Sequence, residues 1–116
     1  VIDVVSTELG KTSSVFGENP VPVPEEAEYV YLKAQIRGIS YQYFYSFDGE
    51  NWKEVPAVFD SAKLSQEYIK AVYDAAFTGA FVGMFSVDGT GTKIPADFDY
   101  FSYKELGETA VNGKYI

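Results

Sequence analysis

Cysteine and histidine are both absent from the 116 residues. Disulfides, thiolate nucleophiles, His-based triads and the commonest zinc sites are thereby excluded. Any catalysis would have to rest on Asp, Glu, Tyr or Lys. A chain without cysteine fits a cytoplasmic better than a secreted setting. Positive charge is scarce, with 9 Lys and Arg against 17 Asp and Glu, a formal net charge of -8. Such a surface repels phosphate backbones and anionic bilayers, which argues against nucleic-acid and membrane partners. No apolar run approaches the ~20 residues of a membrane span. No signal peptide pattern opens the chain, and Val1 is not an initiator methionine. A processed, recombinant or truncated chain is therefore expected.

What the chain has in abundance is aromatic rings, 10 Tyr and 9 Phe. Hydrophobic residues at 47% argue against disorder and allow one folded domain over residues 1–116. Aromatic and β-branched residues suit pleated, half-buried surfaces, so the expected class is all-β. Val1 to Ser6 reads as extended, Glu8 to Lys11 as a turn, and Thr12 to Phe16 as a returning strand. Pro20, Pro22 and Pro24 cannot donate to a ladder and mark a loop or extended edge.

Tyr29 to Arg37 alternates cleanly. Val30, Leu32, Ala34 and Ile36 fall on one face, and Tyr29, Tyr31, Lys33, Gln35 and Arg37 on the other, as in an antiparallel strand wet on one side. Gly38 supplies a turn. Tyr41 to Phe47 is the next strand, Asp48-Gly49 a hairpin signal, and Asn51 to Val55 the return. Between Ser61 and Ala76, the spacing of Leu64, Tyr68, Ile69, Val72 and Tyr73 predicts one short helix. Phe81 to Val87 is expected as a strand buried on both faces, 88–92 as a loop, and Ala96 to Lys104 as the last strand. Residues 105–116 form a polar tail.

Several short strands separated by turn signals imply a sandwich or barrel. Four segments sharpen this: Tyr31-Leu32-Lys33-Ala34, Tyr43 to Trp52, Phe77 to Met84, and Ala96 to Phe101. In this order and spacing the chain resembles the C-terminal domain of family 43 glycoside hydrolases, the β-xylosidases and α-arabinofuranosidases. The resemblance implies an antiparallel, concanavalin A-like (jelly-roll) β-sandwich, of which Tyr31 to Lys104 matches only the later part. It implies a non-catalytic accessory domain that packs on a catalytic propeller, shapes its cleft and supports oligomerisation. The parent protein would degrade xylan. The carboxylates that do the chemistry belong to the propeller, so no catalytic residue is assigned here. Open sheet edges in a partial sandwich would favour a homo-oligomer or strand exchange.

Three groups invite functional readings. Trp52, Tyr43 and Tyr45 could stack on xylo-oligosaccharide rings, which would make the chain a carbohydrate-binding module for xylan or arabinoxylan. Their plainer reading is packing, with Trp52 capping the core. Asp97 and Asp99 share one face of the expected last strand, about 6.6 Å apart along it. They could hold a structural calcium, with Asp60 and Asp88 as further donors, or act as an acid and base pair. Their plainer reading is solvation, and no cofactor is expected. Gly89-Thr90-Gly91 lacks the lysine and helix that a phosphate loop needs and reads as a hairpin tip.

Overall fold

The computed structural model describes residues 1–60 and 82–105. Strand β1 (Val5–Glu8) and strand β2 (Lys11–Ser14) form a two-stranded antiparallel hairpin. Its connection is Leu9-Gly10, both at positive φ (53° and 76°). That is a two-residue turn whose twist matches the strands it joins, so the turn and return expected near Gly10 are found. Just before it, Ile2 bridges Val21 through two backbone hydrogen bonds of 2.7 and 2.8 Å. Val21 lies between Pro20 and Pro22 and keeps an N–H that those prolines lack.

The second sheet runs β3 (Tyr31–Arg37), β4 (Ser40–Ser46), β5 (Lys53–Asp60), in that spatial order and antiparallel throughout. Arg37 faces Ser40 across a two-residue turn with Gly38 at φ 60°. Between β4 and β5 the register shifts. Phe44 faces Glu54 but Gln42 faces Val58, so Val55, Pro56 and Ala57 lie opposite Tyr43 alone. Pro56 has no N–H, and a bulge is where a sheet tolerates that. The bulge lets β5 run on to Asp60, beyond the expected end at Val55.

The pairing puts Leu32, Ala34 and Ile36 on the same face as Tyr45, Tyr43 and Tyr41. Against this inner face packs the N-terminal segment. The core cluster is Ile2, Tyr45 and Val55, joined by Val4, Val15, Phe16, Val21, Val23, Tyr43 and Phe47. Val55 is 1% exposed. The chain on either side of the hairpin, rather than the β1–β2 ladder itself, thus covers the β4 and β5 half of the sheet. The β3 half is uncovered: Leu32 is 69% exposed.

Two expected strands are not found. Residues 82–87 and 96–104 carry no strand and are exposed at every position, so the reading of 82–87 as doubly buried is corrected. A strand exists only where its backbone groups meet a ladder partner, and neither segment is paired with any described strand. Alternation and apolar content are legible in one segment; the partner is not. The expected helix at Ser61 to Ala76 and the tail from residue 106 lie outside the described residues. Among the described residues there is no helix.

Candidate functional site

The polar feature with the most side-chain hydrogen bonds among the described residues is the loop between β4 and β5. Ser46, 1% exposed, accepts the N–H groups of Gly49 and Asp48 at 2.9 and 3.3 Å and donates to Asp48 Oδ1 at 2.9 Å. The same Oδ1 accepts Glu50 N and Asn51 N at 2.8 and 2.7 Å, and Oδ2 accepts the Asn51 side-chain amide. These bonds, the Asn51 N–H first among them, hold the Asp48 carboxyl far below the usual carboxylate range. Gly49 sits at φ 78° under the ring of Tyr31, where a Cβ would come 3.2 Å from Tyr31 Cζ.

This loop sets where Trp52 points. A two-residue turn at Asp48-Gly49 would have placed Trp52 opposite Tyr45, on the inner face. Instead Tyr45 pairs with Lys53. One added loop residue reverses the side on which each following side chain emerges. Trp52 therefore lies on the outer face, 37% exposed, edge-on to Tyr31 at 6.4 Å and 74°. It does not cap the core, which corrects that expectation. Tyr29 adjoins Tyr31 at 6.2 Å and 48°, and the Lys33 ammonium lies 4.7 Å from the Phe44 centroid and 4.4 Å from that of Trp52. Cation–π contacts of this kind fix both the amine and the indole.

Tyr43 and Tyr45, which the sequence grouped with Trp52, are on the opposite face. Tyr45 is 8% exposed and tilts against Phe47 at 5.8 Å. Tyr43 packs edge-on to Tyr41 and Phe59 at 5.7 and 5.8 Å, while Tyr41 stacks on Phe59 at 5.1 Å and 19°. Burial pushes the Tyr41 and Tyr43 phenols up. The three residues do not form one platform. The neighbours that Trp52 does have are Tyr31 and Lys33, with Tyr29 against the Tyr31 ring. Alternation along β3 had already put those on one face, but choosing that face for Trp52 needs the loop length.

Asp97 and Asp99 are exposed and lie outside any strand. No group of three or more metal-ligating side chains occurs among the described residues, so the structure does not gather Asp60 and Asp88 around them. Asp88 instead closes its own loop. Its carboxylate accepts the N–H groups of Lys93, Gly91 and Thr90 at 2.9, 2.8 and 3.1 Å, which lower its pKa. Asp3 is lowered in the same way, by the Ser14 hydroxyl and then by the Val4 and Phe16 N–H groups. The acid and base reading of Asp97 and Asp99 gains no cleft.

An all-antiparallel β fold with an aromatic inner face meets a sequence match. Residues 1–104 match the family described as the β-xylosidase C-terminal concanavalin A-like domain. The chain belongs to this family. The match takes in the N-terminal hairpin as well as the segments from Tyr31 onward. The "Beta-xylosidase" of Bacillus subtilis (strain 168) is 48% identical over 87 residues, 75% of the chain and 16% of that protein. An Escherichia coli (strain K12) protein that also carries β-xylosidase in its name is 44% identical over 105 residues, 90% of the chain and 19% of that protein. The "Xylan 1,3-beta-xylosidase" of Vibrio sp. is 39% identical over 99 residues, 84% of the chain and 18% of that protein. The chain thus spans less than a fifth of the length of these relatives.

Proposed function

We propose that this accessory domain serves a xylan-degrading glycoside hydrolase without taking part in its chemistry. It docks on the catalytic propeller, shapes the rim of the substrate cleft and helps hold subunits together. The observation that carries this reading is the apolar surface left in water. Phe85, Ile94, Tyr100 and Tyr103 are 83, 76, 63 and 71% exposed, and Leu32 on β3 is 69% exposed. Large apolar side chains left in water in this number call for a covering neighbour. The relatives, named for xylosidase activity, are several times longer than this chain, which supports a catalytic domain as that neighbour.

The test is complementation. A family 43 β-xylosidase stripped of its C-terminal domain is mixed with this chain, and sedimentation and aryl-xyloside turnover are measured. The expected result is a complex with raised turnover, the chain alone giving the blank rate. No complex and no change in turnover would refute the reading.

A second reading, a module that binds xylan or arabinoxylan, is favoured by the exposure of Trp52 beside Tyr31. Its geometry is poor for a flat sugar platform, since the rings are inclined by 48° and 74° and Lys33 lies over the indole. Trp52 is the one tryptophan, so its fluorescence during xylo-oligosaccharide titration reports this site directly.

A further inference from the structure

In a concanavalin A-like domain the second sheet packs on the inner face, so the outer face of β3, β4 and β5 stays outside the sandwich. Directly paired residues share a side, so the outer face can be followed row by row. Tyr31 opens it, with Trp52 edge-on to its ring. Next come Lys33, Phe44 and Glu54, then Gln35, Gln42 and Val58, then Arg37, Ser40 and Asp60. Successive rows lie about 6.6 Å apart along a strand.

Lys33 is the unusual member. Its ammonium lies 4.4 Å from the Trp52 centroid and 4.7 Å from that of Phe44. Among the described residues it meets these two rings and no carboxylate, in a chain with 17 acidic residues against 9 basic ones. The rings fix the ammonium in place but leave its charge unneutralised, so a site for an anion is arranged in advance. In the next row Gln35 and Gln42 stand opposite one another. Their side-chain amides make no hydrogen bond with the described residues. Each offers two N–H donors and a carbonyl acceptor, which suits a ligand rich in hydroxyls. The net charge of -8 repels a dense polyanion, so the ligand is mostly neutral with isolated negative groups.

We propose that the outer face around Lys33 takes a xylo-oligosaccharide bearing a carboxylate, such as a uronic acid side group supplies. The carboxylate meets the Lys33 ammonium. A sugar edge enters the angle between Trp52 and Tyr31, and hydroxyls of the next sugar bond to Gln35 and Gln42. A carboxylate needs no flat platform, so the 74° inclination of the rings is no obstacle. Glu54 lies across Phe44 from Lys33, and Asp60 lies two rows on, which keeps the anion on the β3 side. This rests on the reading of the chain as a xylan-binding module and names the class of xylan.

The test uses the full chain and three sugars of one backbone length. One is unsubstituted, one carries a single uronic acid branch, and one carries that branch with its carboxyl reduced to an alcohol. Calorimetric titration gives each dissociation constant. At low salt the acidic sugar should bind about two- to fivefold more tightly than its reduced counterpart, as one exposed ion pair allows. The advantage should fade near 1 M salt, where the screening length is about 3 Å. K33Q should erase the advantage and K33R should keep it, with unchanged far-UV circular dichroism as the check on folding. Equal affinity for the acidic and reduced sugars, or an advantage that survives in K33Q, would overturn this inference and leave the xylan reading standing. Binding of none of the three sugars would end both.

Discussion

Replacing Gly49 by Ala tests the outer-face geometry, because a second glycine provides the control. Gly49 and Gly10 have nearly the same φ, 78° and 76°. An L-residue there costs roughly 1–2 kcal/mol for the left-handed conformation alone. At Gly10 an added Cβ meets nothing within 4 Å, so G10A should show only that cost. At Gly49 the Cβ would meet Tyr31 Cζ at 3.2 Å and Cε1 at 3.3 Å. The ring must give by a few tenths of an ångström, which weakens its edge contact with Trp52. Such aromatic pairs contribute about 0.5–1.5 kcal/mol. G49A should therefore destabilise by about 2–3 kcal/mol, about 1 kcal/mol more than G10A.

Urea unfolding followed by Trp52 emission measures both terms at once. The excess cost should appear with a changed native spectrum, since the ring that moves lies against the indole. In a Y31A background the excess should vanish, because the clash partner is gone, and the double-mutant cycle isolates it. Equal costs for the two glycines, or an excess that persists without Tyr31, would refute the placement of Tyr31 over the loop.

V55A removes two buried methyl groups from the centre of the core and should cost about 2 kcal/mol in the same urea assay. L9N should stabilise by about 1 kcal/mol, since Leu9 holds φ 53° at 59% exposure and Asn accepts that conformation; an unchanged midpoint would count against the turn. The lowered Asp48 carboxyl makes stability depend on acid. Its contribution is complete above the unfolded carboxylate value, about pH 4, and is lost as pH falls from there through the lower folded value. Unfolding midpoints between neutral pH and pH 2 should drop less steeply in D48N than in the unsubstituted chain.

The hairpins were legible in the sequence because their causes are local. Leu9-Gly10 and Gly38-Ile39 are short turns between alternating runs, and both strands each turn joins are present. The position of Trp52 was not legible, because it hangs on whether the Asp48 loop returns Lys53 or Trp52 opposite Tyr45. Alternation cannot count loop residues. Nor could it see that Pro56 sits in a bulge and leaves β5 running to Asp60. The segments 82–87 and 96–104 fail for a different reason. Their patterns are those of strands, but a pattern fixes only which side chains would share a face. Whether a ladder forms depends on a partner outside the segment.

Acid catalysis of glycoside hydrolysis needs a carboxyl whose environment raises its pKa, so that it holds a proton at working pH. The shifted carboxyls among the described residues go the other way. Asp3, Asp48 and Asp88 are all lowered, Asp48 and Asp88 by donors of their own loops and Asp3 by the Ser14 hydroxyl and the Val4 and Phe16 N–H groups. They are tuned to stay ionised and to brace turns. Burial instead raises two phenols, Tyr41 and Tyr43, beside the uncovered face of β3. Desolvation in this domain thus falls on an aromatic surface that ends abruptly at Leu32, Ala34 and Ile36. Physical pressure on such a surface is toward further covering, by another strand or another domain. A cleft for chemistry would instead keep water and substrate within reach of a tuned acid.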